Sequence, residues 1–293
     1  MAIPFVREFD PAYGEIRQVS PRVQRLVADN PGPFTYAGTG VFIIGGETCA
    51  VIDPGPDTPA HRDALWRALE GRRVSHVLCT HHHLDHTPLA RPLAEAHDCK
   101  VHGMRVKSAP AFESELVLEE GVDASFRPDV EMVDGDMVEG PGWTLEALHT
   151  PGHTSNHLCF ALTEENALFT GDHIMGWATS VVVPPDGDMR DYMASLRRVR
   201  ERGFATLYPT HGPEITEPGP FIDAYIAHRE AREAQIVAQL EAGVGDIPTM
   251  VEAMYKAVDA RLHPAAAMSV TAHLLHMEAE GRAVKTGVGW RLP

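Results

Sequence analysis

The chain has no long apolar runs. None of its 293 residues lies in a stretch approaching the length of a membrane span, and the start, Met-Ala-Ile-Pro-Phe-Val-Arg-Glu, contains no apolar signal core. These absences predict a cytoplasmic protein that makes no contact with a membrane.

Cysteine is also scarce. The four cysteines have no spacing typical of a metal site, and Cys49, Cys79 and Cys159 fall in or beside apolar, strand-like runs. Buried, reduced thiols are therefore predicted rather than a disulfide framework.

Basic residues are outnumbered. The chain has 25 lysines and arginines against 41 aspartates and glutamates, which gives a formal net charge of −16. Such a surface works against broad binding to a phosphate backbone, although a local basic groove is compatible with it. The run Arg197-Arg198-Val199-Arg200 is basic, but on a helix it is more often a solvated face than a phosphate track.

The apolar content is ordinary, at 44% of residues, and allows a core of good size in one large domain with a small appendage. Up to about residue 220, short apolar runs alternate with helical patterns, which is typical of a layered α/β domain. Strands are predicted at 41–44, 50–52, 74–79, 99–102, 144–148, 158–162, 167–170 and 206–208, and helices at 58–69, 88–96 and 191–202. Residues 104–142 are polar and irregular, and long loops are predicted there.

The pattern changes after Pro220. Helices are predicted at 221–242, 247–258 and 265–281, followed by a tight hairpin at 283–291. This order is typical of a small winged-helix unit, so the predicted domains are 1–220 and 221–293. The second contains seven basic and nine acidic residues, so it has no basic recognition helix and is interpreted as a lid, a dimer contact or a pocket wall.

The central motif is Thr80-His81-His82-His83-Leu84-Asp85-His86, between a predicted strand and a predicted helix. Side chains alternate along an extended chain, so His81 and His83 are expected to point to the same side. Imidazoles and a carboxylate suit zinc, iron or manganese, and four such residues within six positions can serve two neighbouring ions. Taken alone, the motif also fits a histidine-rich surface loop.

Three more residues that can bind metal follow predicted strands. They are His153 in Thr150-Pro151-Gly152-His153-Thr154, Asp172 in Phe169-Thr170-Gly171-Asp172-His173 and His211 in Tyr208-Pro209-Thr210-His211-Gly212-Pro213. Strand ends are where α/β architectures place their chemistry. Several such residues together with the central motif make a chance arrangement improbable.

His81-x-His83-x-Asp85-His86, with His153, Asp172 and His211 in that order, resembles the metallo-β-lactamase superfamily of hydrolases. The resemblance implies a four-layer αββα sandwich that holds two divalent ions, with zinc expected and iron or manganese as alternatives. It implies one ion on His81, His83 and His153. It implies a second ion on Asp85, His86 and His211, with Asp172 bridging both.

The resemblance also extends beyond the ligands. It implies that Asp53, in Val51-Ile52-Asp53-Pro54-Gly55, lies behind the metal site and fixes the orientation of a ligand histidine. The alternative is that Asp53 only forms a turn. His228-Arg229-Glu230 and the segments 262–266 and 273–282 resemble the beta-lactamase-like protein 2 group, whose members carry a C-terminal winged-helix-like unit. Activities near this group include endoribonuclease action on single strands and thioester hydrolysis on an acyl carrier.

The expected chemistry is attack by a metal-bridging hydroxide on a carbonyl or phosphorus centre. Asp85 and His173 are the candidate catalytic residues, with His173 as a candidate proton donor or else a supporting histidine. Asn156 and His157 are candidates for touching substrate or supporting a ligand. Segment 177–189 is a candidate pocket wall or else a connector that caps the next helix.

The substrate stays open between a small-molecule ester, thioester or lactone and a phosphodiester. RNA is kept as an alternative partner, and a homodimer is also kept open. The competing functions are a single-strand-selective endoribonuclease, an iron-dependent oxidoreductase of the same fold and a DNA-binding regulator with a vestigial metal fold. An antibiotic-resistance lactamase is disfavoured because no secretion signal is present.

Overall fold

Two β-sheets packed face to face form the centre of the protein in the computed structural model, which describes residues 3–106, 121–256, 260 and 263–293. The first sheet contains, in spatial order, β1 (Arg17–Gln18), β2 (Val23–Val27), β3 (Gly40–Gly45), β4 (Thr48–Ile52), β5 (Arg73–Leu78), β6 (Lys100–Gly103) and β7 (Val130–Glu131). The second contains β8 (Met137–Gly140), β9 (Trp143–His149), β10 (Leu158–Leu162), β11 (Ala167–Gly171) and β12 (Thr206–Pro209), in sequence order from one edge to the other. Two further strands, β13 (Val284–Thr286) and β14 (Gly289–Arg291), form the predicted C-terminal hairpin.

Most of the helices cover the outer faces of both sheets. The helices are α1 (Pro59–Ala68), α2 (Ala90–His97), α3 (Met189–Arg202), α4 (Pro218–Glu241), α5 (Ile247–Met254) and α6 (His263–Ala279). Helix α5 instead packs with α4, α6 and the C-terminal hairpin. The predicted end of the helix at 247–258 lies partly outside the described residues. Helix α3 is capped at its start by Asp188, whose side chain accepts hydrogen bonds from two backbone N–H groups of the first turn, and after its end by Gly203 in the left-handed conformation.

Alternation along β3 shows how the layers form. Val41 and Ile43 pack with α1 and α2 on one side of the first sheet, whereas Phe42 and Ile44 face the second sheet. Both faces are covered, so the strand is a continuous apolar run. A third cluster, which includes Tyr192, lies between the second sheet, α3 and α4. The order helix, sheet, sheet, helix confirms the predicted four-layer αββα sandwich.

The parallel pairs place the polar loops at one edge. β4, β5 and β6 run parallel to one another, and β11 runs parallel to β12. Asp53 follows β4, the His81–His86 motif follows β5, Asp172 follows β11 and His211 follows β12. The C-terminal ends of neighbouring parallel strands lie together, so these loops meet at one edge of the paired sheets.

The interpretation of 104–142 as loops alone was wrong where the structure describes it. Strands β7 and β8 lie within it, and both are short edge strands. In β8 only Val138 is buried, so the strand has no apolar run that sequence patterning could detect. Residues 107–120 lie outside the described part of the chain.

Helix α4 contributes to two cores. Phe221, Ile222 and Tyr225 in its first half pack in the cluster under α3, whereas Ile236 and Leu240 in its second half pack with α5, α6 and the hairpin. The helix therefore joins the sandwich to the C-terminal unit without a flexible linker. The domain boundary at residue 220 stays a prediction.

One buried histidine of the sandwich gives a pH prediction. His102 in β6 is 8% exposed, and burial, helped by the His76 ring 5.0 Å away, lowers its pKa to about 4. Between pH 4 and about pH 6.5, His102 binds a proton in the unfolded chain but not in the folded chain, so acid favours unfolding.

We therefore expect the free energy of unfolding to fall by up to about 3 kcal/mol from His102 as the pH drops from 6.5 to 4. Urea denaturation across this range, compared with His102→Leu, measures the effect. A variant whose stability varies with pH as steeply as that of the parent protein would rule out this origin.

Candidate metal centre

Three histidines meet beyond the ends of β5 and β9. Nε2 of His81 lies 2.9 Å from Nδ1 of His83, and Nε2 of His153 lies 3.3 Å from that same Nδ1. All three side chains are buried. Their nitrogens are close enough together to bind one metal ion.

A second group forms beside the first. Nε2 of His86 and Nε2 of His211 each lie 3.2 Å from Oδ2 of Asp85. Asp172 lies between the two groups, with Oδ1 3.3 Å from Nε2 of His211 and Oδ2 3.8 Å from Nε2 of His153. The structure thus brings together all seven residues that the sequence singled out for metal binding.

Asp53 lies directly behind the motif and is fully buried. Its carboxylate accepts hydrogen bonds from the backbone N–H and the hydroxyl of Thr80, at 2.8 and 2.7 Å, and Oδ2 lies 2.9 Å from Nδ1 of His86. A carboxylate on one ring nitrogen holds the proton there and leaves the other nitrogen for a metal. Asp53 therefore orients His86 and is more than a turn residue.

Backbone carbonyls orient two other histidines. Nδ1 of His153 lies 2.7 Å from the carbonyl oxygen of Val181, and Nδ1 of His211 lies 3.2 Å from that of Gly38. Each ring donates its Nδ1–H to the carbonyl, so Nε2 carries the lone pair that faces the cluster. Thr39 donates to Oδ2 of Asp85 at 3.0 Å.

Sequence reasoning missed these supports. A carbonyl contact carries no residue-type signal, and Thr39 stands in a segment without any motif. Thr210, whose hydroxyl lies 3.3 Å from Oδ2 of Asp53, could have been noticed as the neighbour of His211.

The chemistry of the cluster fits a divalent metal. Nε2 of His86 and Oδ1 of Asp172 are buried and lie 3.2 Å from Oδ2 of Asp85 and 3.3 Å from Nε2 of His211, but among the described residues neither atom makes a well-aligned hydrogen bond. Leaving a buried polar atom unpaired costs about 1–3 kcal/mol. Imidazoles with carboxylates are the donor set of borderline divalent ions, and the superfamily resemblance implies such ions.

The pKa shifts differ across the cluster. Burial, together with neighbouring histidines such as His86, lowers the pKa of His81 well below its usual value. Burial acts in the same direction on His211, but the carboxylates of Asp172 and Asp85 outweigh it and raise the pKa of His211 to about 10. His81 is therefore held neutral, the form that binds metal. The carboxylates around His211 favour positive charge on its Nε2, so a metal ion that binds there takes the place of a proton.

The remaining histidines of the predicted site support others. His82 points away from the ligand cluster, and its Nδ1 lies 2.8 Å from Oδ1 of Asn156, whose amide group donates to the carbonyl of Met104. Nε2 of His157 accepts the backbone N–H of Asp172 at 3.2 Å. Asn156 and His157 are thus buried supports in this structure.

His173 lies behind Asp172. Its ring is fully buried and packs 5.1 Å from the ring of Tyr192, and burial lowers its pKa to about 3. Neither of its ring nitrogens has a hydrogen-bond partner within the described part of the chain. His173 does not line the cleft over the cluster, and its role as a proton donor stays a prediction.

A narrow cleft opens onto the cluster. Its described lining consists of Phe34, His83, Asp85, His153, Asp172, Met175, Val181 and His211. Apolar side chains therefore surround the ligands, and no lysine or arginine is among these lining residues. Val181 belongs to segment 177–189, so this segment forms part of the pocket wall, and Asp188 near its end also caps α3.

The arginines of α3 form ion pairs. Those at 197, 198 and 200 pair with Glu230, Asp134 and Asp223, at 3.3, 2.7 and 2.7 Å. They form a solvated, paired face, as the sequence indicated.

Comparison with known proteins identifies the family. The sequence model described as the metallo-beta-lactamase superfamily matches residues 35–211, and the one described as the beta-lactamase associated winged helix domain matches residues 247–290. The first match covers more than half of the chain. The protein belongs to the metallo-β-lactamase superfamily and carries the associated winged-helix domain, as its sequence predicted.

Individual relatives agree with this result. The chain is 36% identical over 234 residues to the atrochrysone carboxyl ACP thioesterase AgnL7 of Paecilomyces divaricatus, covering 79% of this chain and 68% of that protein. It is 33% identical over 262 residues to the lactamase-like protein adaB of Aspergillus niger, covering 84% and 76%. The protein is thus a hydrolase of this superfamily.

A solved structure supports the fold. A metallo-beta-lactamase family protein from Thermus thermophilus superposes with a TM-score of 0.77 at 23% identity, covering 94% of this chain and 100% of that one. In the residues described here, no helix has both the length and the apolarity needed to cross a bilayer.

Proposed function

We propose that the protein is a dinuclear metal-dependent thioesterase that hydrolyses acyl thioesters. His81, His83 and His153 hold one ion and Asp85, His86 and His211 hold the other, with Asp172 shared between them. The support is geometric, since each group offers three buried donors and the two oxygens of Asp172 face different groups.

The lining of the cleft carries the choice of substrate. Every titratable side chain among its described residues is one of the seven proposed ligands, so no further proton donor faces the reacting centre. An alkoxide leaving group needs a proton, whereas a thiolate, whose conjugate acid has a pKa of about 8.5, departs near neutral pH without one. A thioester is therefore the substrate that this lining handles best.

The charge of the cleft lining and the sequence relatives also support a thioester substrate. A thioester carbonyl is neutral and needs no basic side chain, and none lines the described part of the cleft. A phosphodiester brings a negative charge that phosphate sites usually meet with lysine or arginine. The relative named as an ACP thioesterase, at 36% identity, extends this argument to acyl groups carried on a protein-bound thiol.

When bound, two divalent ions supply an activated water and polarise the substrate carbonyl. The chain itself does the positioning. Asp53, Val181 and Gly38 fix the rings of three ligand histidines, so the donors are preorganised. Asp85, which lines the cleft, contributes to catalysis as a ligand, and Phe34 and Met175 exclude bulk solvent.

Zinc is the proposed metal. The donors are imidazole nitrogens and carboxylate oxygens without a thiolate, and zinc, iron and manganese all accept this set. Metal analysis of the purified protein with an absorption spectrum identifies the ion, because a zinc enzyme is colourless. A coloured iron protein would instead support the oxidoreductase function of the same fold.

A substrate panel tests the proposed activity. It contains an N-acetylcysteamine thioester, the oxygen ester with the same acyl group, a lactone, a p-nitrophenyl phosphodiester and single-stranded RNA. We expect kcat/KM for the thioester to exceed that for the oxygen ester by about 10² or more, the contribution that a positioned acid typically makes. Asp85→Ala should abolish the thioester activity.

The same substrate panel tests the alternative function, a single-strand-selective endoribonuclease. A winged-helix domain is present, but the paired arginines of α3 and the net charge of −16 give no phosphate track. Cleavage of RNA alone, abolished by Asp85→Ala, would overturn the thioesterase.

A further inference from the structure

Arg229 of α4 is a buried cation, at 4% exposure. Its guanidinium lies over the ring of Tyr192, 5.1 Å from the centroid, and donates a hydrogen bond to the backbone carbonyl of Ser180. Among the described residues, no carboxylate oxygen lies within 4.0 Å of it. Arg229 belongs to the motif His228-Arg229-Glu230, which the metal centre leaves without a role.

Stability does not account for this arrangement. Taking a guanidinium out of water costs free energy that only close pairing repays, and apolar side chains of similar volume often replace buried charges without loss. A methionine at position 229 would fill the same space at lower cost. The cation is therefore expected to serve something other than the packing of α4.

Arg229 holds the carbonyl of Ser180, and the next residue along the chain contacts a proposed metal ligand. Ser180 directs its carbonyl oxygen to Arg229, and the following residue, Val181, directs its own to Nδ1 of His153 at 2.7 Å. The hydroxyl of Ser180 donates to the carbonyl of His173 at 2.8 Å, directly after Asp172. One short segment thus connects Arg229 with both sides of the proposed centre.

The same helix holds the segment at a second point. One turn before Arg229, the hydroxyl of Tyr225 shares its single proton between the carbonyls of Met175, at 2.7 Å, and Ala178, and it accepts the N–H of Met175 at 3.2 Å. Because α4 continues into the C-terminal unit, the helix joins that unit to the wall of the cleft.

We infer that Arg229 is a positioning residue for the metal centre. By fixing the Ser180–Val181 peptide, it keeps the Val181 carbonyl on Nδ1 of His153 and so keeps the Nε2 lone pair directed at the ion. The inference rests on the proposed two-metal site. It assigns to α4, at a residue outside both matched sequence models, an indirect effect on metal affinity.

The test compares zinc binding with folding in the full-length protein. In Arg229→Met we expect zinc affinity at one of the two sites to fall by about 10- to 100-fold, the usual cost of losing a contact behind a ligand histidine. The urea unfolding midpoint of the metal-free protein should stay the same or rise. Competition with a chromophoric chelator and the visible spectrum of the cobalt-loaded protein give the affinity and the ligand geometry.

Two further variants accompany Arg229→Met: Arg229→Lys as the conservative substitution and Arg232→Met as the control. Lysine keeps the charge but loses the planar fork, so an intermediate affinity is expected. Arg232, on the same helix, makes a hydrogen bond to Gln235 and lies over the Tyr255 ring, so Arg232→Met should bind zinc as the parent does.

The outcomes separate the two proposals. A parent protein that binds no zinc contradicts the metal centre itself. A parent that binds two ions, with Arg229→Met binding them within twofold as tightly, overturns only the role of Arg229. Loss of affinity that matches an equal loss of folding stability also overturns it, because the arginine would then be merely structural.

Discussion

Asp172→Asn is expected to lower kcat/KM for an acyl thioester by about a thousandfold, with loss of one of the two metal ions. The carboxylate lies between the proposed ion sites, with Oδ1 3.3 Å from Nε2 of His211 and Oδ2 3.8 Å from Nε2 of His153. Asparagine has almost the same shape but no charge, and its amide nitrogen has no lone pair for a metal. Several kcal/mol of metal-supplied stabilisation are then lost, and each 1.36 kcal/mol corresponds to a factor of ten in rate.

Metal content and kinetics measure this prediction together. The zinc content should drop from about two ions per chain to about one or less, while circular dichroism stays that of the parent. Asp29→Asn, the same substitution at an exposed position, should change neither quantity. Full metal content with unaltered kcat/KM in Asp172→Asn would show that the carboxylate is not shared between two ions.

The layered core was predictable because its strands are covered on both sides. Residues 41–44 of β3 are apolar at every position, since one set of side chains meets α1 and α2 and the other meets the second sheet. Helix α3 was predicted at 191–202, and in the structure it begins two residues earlier, at Met189, after the cap Asp188. Edge strands such as β8, with the single buried side chain of Val138, gave no such pattern.

The ligands were predictable because metal chemistry restricts the residue types. Histidine and aspartate directly after apolar strands can be recognised as candidate ligands from the sequence alone. What orients them was only partly predictable. Asp53 could be predicted because a carboxylate suits the role. Val181 and Gly38 act through backbone carbonyls, which every residue has, so the sequence does not mark them.

Long-range contacts were beyond sequence patterning as well. Arg229 reads as an ordinary helical arginine until α4 is packed against the segment after Asp172. His173 shows the converse case, because its place beside Asp172 in sequence suggested chemistry, whereas the fold turns its ring toward Tyr192. Sequence neighbours of a ligand at the end of a strand can face the core on the opposite side.

Asp53→Asn is expected to weaken zinc binding by about 10- to 100-fold with little backbone strain. Asp53 has a φ of 47°, in the left-handed region that asparagine tolerates as well as aspartate does. Both carboxylate oxygens act as acceptors, Oδ1 for the N–H of Thr80 and Oδ2 for the Thr80 hydroxyl and Nδ1–H of His86. An amide group presents a donor at one of these two positions.

Either orientation of the amide is costly. With nitrogen toward His86, the imidazole must carry its proton on Nε2, and this tautomer cannot bind a metal there. With nitrogen at the Oδ1 position, the buried backbone N–H of Thr80 loses its acceptor, at a cost of about 1–3 kcal/mol in folding stability. Zinc competition and urea unfolding distinguish the two results, and Asp98→Asn, an exposed position with a φ of 51°, is the matched control. If Asp53→Asn keeps both the zinc affinity and the stability of the parent, His86 does not depend on this carboxylate for its tautomer.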